Sequence, residues 1–360
     1  MATNELITTT YSSWAMFRNC RRKYLHRYIE EIAPVASDAQ ALRFGALIHN
    51  ALEAWHGCKG SLVDAGINMQ ITIEKECSGH QFNPDLHAQW HLAHAMMDGY
   101  SARYADEDRE NFSVVSLERQ FVGPIINPET GARSLTFQLA GKVDGVVRDK
   151  DTGHLWLLEH KTAALIDGAY LEKLWTDMQI HLYAMYMEKE LGEPIAGVVY
   201  NILTKCRKRQ RVEESEADYQ ARYEALCAKN KNGKSSAKRH LAESDENFRA
   251  RLAEYYAQPE TFHRERIYID RGQVDELRAE LWELTQAYLD ARRLGQWYRN
   301  TSQCFNYGRP CPYYPLCSSS DNPNVRDNLY EHRPVNEELS GASSVFDFAT
   351  QTDGQGDLPF

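Results

Sequence analysis

Residues 135–162 read LTFQLAGKVDGVVRDKDTGHLWLLEHKT, and this stretch decides the fold. Leu135, Phe137, Leu139, Gly141 and Val143 occupy alternate positions, the period of a strand, which predicts one over 134–148. The run His154-Leu-Trp-Leu-Leu-Glu-His-Lys161 predicts a second strand over 154–161. Asp151-Thr152 and Gly153 between them make a turn, so the two strands form a hairpin. Upstream, residues 113–122 read as a further strand. Downstream, 170–190 read as a helix and 196–204 as a buried strand. Two helices precede the strands. One covers 11–31, with Tyr11, Trp14, Phe17, Tyr24 and Tyr28 near helical spacing. The other covers 40–56, where Phe44, Leu47, Ile48, Ala51, Leu52 and Trp55 share a face, and helical patterns continue to about Tyr104. Helices, three strands, a helix and a strand, in that order, predict a mixed α/β core.

The hairpin carries chemistry. Glu159 and Lys161 are two apart on a strand and point to one face. Asp144 lies on the partner strand, where it can stand beside them. Two carboxylates in one site repel each other, and an oxygen-seeking cation such as Mg²⁺ or Mn²⁺ relieves that repulsion. Lys161 would then orient a water or stabilise a developing oxyanion. A structural ion pair between Glu159 and Lys161 explains the same two residues.

The order of short motifs decides between these readings. Gly45-x-x-x-His49 comes first, then Gly141-x-Val-Asp144, then Leu157-Leu-Glu-His-Lys-Thr162, then Gln179-x-x-x-Tyr183. Over roughly residues 10–205 this resembles the PD-(D/E)XK nuclease superfamily, in particular its RecB-like and AddB-like branch. The resemblance implies a restriction-endonuclease-like mixed sheet flanked by helices. It makes His49, Asp144 and Glu159 the metal ligands, with the His160 carbonyl adding to them, and Lys161 the catalytic lysine. It sets Gln179 and Tyr183 beside the DNA backbone. Taken singly, His49 reads equally as a core histidine, and Gln179 and Tyr183 as parts of an amphipathic helix. Gly45 has its own reason, because a glycine lets another backbone approach one turn before the ligand.

The chain has 360 residues and eight cysteines. Residues 1–10 lack a basic segment followed by an apolar one, so a cytoplasmic location is expected, where thiols are metal-ligand candidates rather than disulfides. Cys304, Cys311 and Cys317 lie close together, and Gly308, Pro310, Pro312 and Pro315 predict a tight, non-helical loop around them. Cys20 is the candidate fourth ligand. Four thiolates suit Zn²⁺ or an iron–sulfur cluster. One N-terminal and three C-terminal cysteines around a nuclease core resemble the iron-staple nucleases, which include AddB and the CRISPR-adaptation nucleases, and this implies a structural 4Fe–4S cluster. The spacing from Cys304 to Cys311 is longer than the Cys-x-x-Cys of those relatives. Cys58, Cys77, Cys206 and Cys227 show no grouping and read as packing or surface thiols.

A formal charge of −10 excludes a uniformly basic coat. Residues 205–240 nonetheless hold eleven Lys/Arg and five acids, for +6, inside a polar helical insertion read over 205–265. That insertion is either a solvated helical pair or a nucleic-acid surface led by Arg207, Lys208, Arg209 and Arg211. The expected divisions are a helical region (1–110), the α/β core (111–204), the insertion (205–265), a helix and iron–sulfur cysteine loop (266–320), and a flexible acidic tail (321–360). A helix is expected over 272–299. The tail ends Asp357-Leu358-Pro359-Phe360, which resembles the tip of bacterial single-stranded DNA-binding proteins and implies a partner that binds such tips.

The resemblances imply a metal-dependent DNA nuclease acting on free or single-stranded ends in recombination, repair or replication, most simply as an exonuclease. A non-catalytic nucleic-acid-binding subunit with the same fold is the alternative, and a redox enzyme using the cluster is the third reading. No apolar run reaches the roughly 20 residues of a membrane-spanning helix.

Overall fold

β1 (Ile7–Thr9) and α1 (Tyr11–Asn19) open a chain whose computed structural model describes residues 6–35, 40–77, 84–230, 233–306, 308–336 and 339. Thr10 caps α1. Its hydroxyl accepts the Ser13 N–H at 3.2 Å, and Ser13 Oγ accepts the Thr10 N–H at 3.0 Å. The single helix expected over 11–31 is interrupted at Cys20, whose backbone is extended (φ −162°, ψ 109°). α2 (Arg21–Tyr24) and a π-helical turn (Leu25–Ile29) follow. The interruption is satisfied from the other end of the chain. The Tyr298 carbonyl accepts the Arg22 N–H at 3.1 Å, and the Trp297 carbonyl accepts Arg22 Nε at 2.8 Å.

β2 (Ile32–Pro34), α3 (Gln40–Gly57), α4 (Leu62–Cys77) and α5 (Pro84–Asn111) come next. The apolar face of α3 is buried as its spacing required, in one core with Met69 of α4 and Met96 and Tyr100 of α5. β3 (Phe112–Ile126), β4 (Arg133–Asp149) and β5 (Leu155–Ala163) then form an antiparallel meander. The Asp149 carboxylate closes the β4–β5 turn by accepting the Asp151 and Thr152 N–H groups at 3.1 and 2.9 Å, with Gly153 at φ +73°.

The helix expected over 170–190 is two, α6 (Gly168–Leu174) and α7 (Met178–Leu191). Asp177 starts the second by accepting the Gln179 N–H at 2.9 Å. β6 (Ile195–Thr204) runs parallel to β5. The residues read as a helical insertion give α8 (Glu216–Lys229) and α9 (Asp245–Tyr256) joined by extended chain. They end in β7 (Phe262–Tyr268), antiparallel to β6. β7 escaped the sequence reading because its middle, His263 to Arg266, is polar throughout. β1 escaped because it is three residues long. α10 (Arg271–Leu294), the small ladder of β8 (Phe305–Asn306) and β9 (Arg309–Pro310), α11 (Tyr314–Ser318), α12 (Pro323–Leu329) and β10 (Tyr330–His332) complete the order. The cysteine segment is therefore not free of helix. Cys317 lies in α11, which tolerates Pro315 because a first-turn residue has no helical partner for its missing N–H.

The mixed sheet runs β3, β4, then β1 and β5 side by side along β4, then β6 and β7. Trp14, Phe17, Phe137 and Tyr288 pack edge to face on one side, with buried residues of α7 and α10. The α3–α5 core covers the other side, joined by Phe248 and Leu252 of α9. This restriction-endonuclease-like, helix-flanked mixed sheet is the core the sequence predicts. Among the described residues no helix is long and apolar enough to cross a membrane. Asp357 to Phe360 lie outside the described residues.

Candidate metal centre and active site

β4 and β5 pair only from Gly145–Leu158 to Arg148–Leu155 and then part. Asp144 and Glu159 are the first residues beyond the last pair, so the site opens where the ladder ends. The His160 N–H, left without a strand partner on β4, donates to Asp144 Oδ2 at 2.7 Å. His49 reaches Asp144 Oδ1 through Nδ1 at 3.1 Å. His49 comes from α3, on one side of the sheet. Gln179 comes from α7, on the other, and donates through Nε2 to Glu159 Oε1 at 3.3 Å. Lys161 Nζ pairs with the same Glu159 oxygen. Two contact sets thus lie at the end of the β4–β5 ladder, His49 with Asp144 and Gln179 and Lys161 with Glu159, and the Glu159 carboxylate is not among the ligand atoms within 4.8 Å of His49 and Asp144.

The charges there are unevenly shared. Burial alone would raise the Asp144 carboxyl, but hydrogen-bonded His49, with His160 and Lys161 nearby, holds it well below the usual carboxylate range. Burial raises Glu159 to about 7, Lys161 opposing and Asp144 adding to the rise. Burial disfavours the Lys161 ammonium, yet Glu159 and Asp144 outweigh it and keep the lysine protonated. Burial also disfavours charge on His49, and Asp144 more than reverses that. Two carboxylates, an imidazole and a fixed ammonium, all buried or part-buried, suit a hard divalent cation and an anionic substrate.

Sequence reading missed Glu118. Its carboxylate, Asp144 and His49 offer ligand atoms all within 4.8 Å of one another. Glu118 faces Asp144 across the β3–β4 ladder and pairs with Lys142. Its backbone is left-handed (φ 47°), unusual for a strand glutamate and costing of order 1–3 kcal/mol. A lone acid within a predicted strand gave no signal for this. A second layer also went unread. His56 stacks on the His160 ring at 5.3 Å, and Asn201 Nδ2 meets His160 Nδ1 at 3.4 Å. Asn201 in turn accepts from Arg264 Nε at 2.6 Å. The signal for His56 was present, since it lies two helical turns beyond His49.

Tyr183 is 8% exposed and packs on Phe121 at 5.2 Å. It thus lies behind Gln179 rather than at the surface. Gly45 does not accommodate a close backbone, because a Cβ there would meet only Thr162 Oγ1 at 3.8 Å. Gly141 is the glycine that packing requires. A Cβ on it would lie 2.5 Å from Phe121 Cζ and 3.0 Å from Tyr183 Cε1.

The basic segment divides in two. Arg222, Arg239 and Arg251 pair with Glu214, Glu213 and Glu243. Arg207, Lys208, Arg209 and Arg211 are exposed, and among the described residues none of the four has a carboxylate ion-pair partner. They leave β6 at the catalytic end of the sheet, where the Lys205 N–H donates to the Ala163 carbonyl at 2.7 Å, two residues beyond Lys161.

Cys20, Cys304, Cys311 and Cys317 line one cavity of about 200 Å³, together with Lys23, Arg299 and Arg309. They do not form a compact group, since no three of the sulfurs lie within 4.8 Å of one another. Burial raises the Cys311 and Cys317 thiols above their ordinary value. Cys206 is buried, while Cys58 and Cys227 are part-buried; the Cys77 side chain lies outside the described residues.

Residues 8–318 match the family model of the PD-(D/E)XK nuclease superfamily, and the chain belongs to that superfamily. Membership indicates a nuclease that depends on a divalent metal, typically Mg²⁺ or Mn²⁺, and takes nucleic acid as its substrate. A comparison with curated proteins finds no match.

Proposed function

We propose that the chain is a Mg²⁺- or Mn²⁺-dependent deoxyribonuclease of the RecB/AddB-like branch, working as an exonuclease on free DNA ends. The observation that carries this reading is the pair of contacts, His49 with Asp144 and Lys161 with Glu159, where β4 and β5 part. In this reading His49, Asp144 and Glu159, with the His160 carbonyl, hold the metal, which supplies Lewis acidity and an activated water. Lys161 stays protonated, so it acts as a hydrogen-bond donor to the developing oxyanion. Gln179 fixes the Glu159 carboxylate from the α7 side. Tyr183 acts from beneath Gln179, and Arg207, Lys208, Arg209 and Arg211 bind the DNA backbone beside the site.

The four cysteines hold a structural 4Fe–4S cluster in the same proposal. Lys23, Arg299 and Arg309 suit the negative charge of a cluster with four thiolates. Such a cluster fastens the break between α1 and α2 to the segment after α10. The Asp357–Phe360 tip would dock on a protein that binds single-stranded DNA-binding protein tips. We place the chain in the cytoplasm, in recombination, repair or replication.

A digest of end-labelled linear DNA and of circular DNA, single- and double-stranded, tests the activity. Loss of linear DNA with circles left intact supports an exonuclease. Nicking of circles indicates an endonuclease, and no cleavage with either metal favours the non-catalytic alternative. Anaerobic purification followed by iron and zinc analysis tests the cluster.

A further inference from the structure

A second cluster of metal-ligating side chains lies apart from the nuclease site. His87 and His91 are one turn apart on α5, so their rings share a face. The rings meet edge on, with centroids 4.5 Å apart. Asp245, the first residue of α9, faces them, with its Oδ2 3.5 Å from each Nε2. The three ligand atoms lie within 4.8 Å of one another.

Two details separate this from an ordinary histidine–carboxylate contact. The His91 side chain is only 6% exposed, yet its Nε2 has no partner closer than Asp245 Oδ2 at 3.5 Å. A buried polar nitrogen left this way is costly. The separation of 3.5 Å also exceeds the usual ~2.7–3.2 Å of an N–H···O bond. It is close to the ~3.3 Å between two ligand atoms that each bind a tetrahedral zinc at ~2.0–2.1 Å.

We propose that His87, His91 and Asp245 bind a transition-metal ion, most suitably Zn²⁺, with a fourth position open to solvent. Imidazole nitrogens select such an ion over Mg²⁺ or Ca²⁺. The carboxylate is already oriented. Gln210 Nε2 donates to Asp245 Oδ1 at 2.8 Å, which leaves Oδ2 for the metal. His87 and Asp245 are partly exposed, which gives an ion a way in. His87-Ala-Gln-Trp-His91 has the histidine spacing of a zinc-protease helix but not its glutamate, so the motif supplies no general base. The ion ties the start of α9 to α5. Through Gln210 it also steadies the segment that presents Arg209 and Arg211.

Zinc content of the purified full-length chain, after zinc saturation and removal of excess, tests this. The wild type is compared with His87→Ala and Asp245→Asn, both at partly exposed positions that spare the buried His91. Each variant is expected to hold one zinc equivalent fewer than wild type, while zinc bound elsewhere on the chain stays. Zinc is also expected to raise the melting temperature of the wild type more than that of either variant. Equal zinc content in all three proteins, with unchanged circular dichroism, would overturn the proposal. The count does not depend on nuclease activity, so it stands or fails separately from that reading.

Discussion

Asp144 takes the place of a strand. Its carboxylate accepts the His160 N–H at 2.7 Å just where β4 stops pairing with β5, and its other oxygen meets His49 at 3.1 Å. One side chain thus satisfies the sheet and builds the metal site.

These two roles separate by substitution. Asp144→Asn keeps an oxygen for the His160 N–H but loses the charge that His49 pairs with, so stability should fall less than in the alanine variant while cleavage falls by roughly a hundredfold or more. Asp144→Ala loses both, and the orphaned N–H should cost a further ~1–3 kcal/mol of stability. Urea unfolding and a cleavage assay on the same preparations check this. Equal stability of the two variants would contradict it.

Metal binding should depend on pH through Glu159. Its carboxyl, raised to about 7 by burial and Asp144 against the pull of Lys161, must lose a proton before it can bind a cation. Mn²⁺ affinity should therefore weaken by about tenfold per pH unit below about 7 and level off above it. In Lys161→Ala the pull is gone, so the midpoint should move to higher pH. The metal-free protein should show the opposite trend. Because the folded-state value lies above the ordinary 4.5, the contribution of Glu159 to stability is full below about 4.5 and lost as pH rises through about 7. Calorimetric Mn²⁺ titration across that window reads the first effect, and thermal melts without metal read the second.

Two glycines of the sequence motifs should behave oppositely. Gly141→Ala places a Cβ against the Phe121 and Tyr183 rings and should destabilise by ~1–3 kcal/mol. Gly45→Ala meets ordinary contact only, so with the better helix propensity of alanine it should be neutral or stabilising by up to ~1 kcal/mol. Melting temperatures of the two variants decide the matter.

The hairpin and its carboxylates were legible because strand alternation and the Glu-x-Lys spacing are local. Gly141 was legible as a motif residue, although the reason for it, two aromatic rings from β3 and α7, was not. Glu118 was invisible. Its place depends on a left-handed backbone and on the β3–β4 register, which no local pattern encodes. Gln179 was legible by position, but its contact with Glu159 depends on the Asp177 cap that splits the expected helix. β7 was lost because its polar residues have tertiary partners, Arg264 with Asp108 and Asn201 and Arg266 with Asp149.

Reversing charge at Arg207, Lys208, Arg209 and Arg211 should weaken DNA binding. Each lost phosphate contact should lower the log–log salt slope by roughly 0.7–0.9. Reversal at the carboxylate-paired Arg222 and Arg239 should change the slope less. Fluorescence anisotropy at several salt concentrations checks this, and an unchanged slope for the first group would return the segment to a solvated surface.

Cleavage of end-labelled linear DNA by wild type and by Lys161→Ala, with Mn²⁺ and with chelator, tests the active site most directly. The wild type should cleave only with metal. The variant, folded as judged by circular dichroism, should be slower by roughly a hundredfold or more. Cleavage that persists in chelator, or a folded Lys161→Ala variant as fast as wild type, would contradict a nuclease site built on Asp144, Glu159 and Lys161.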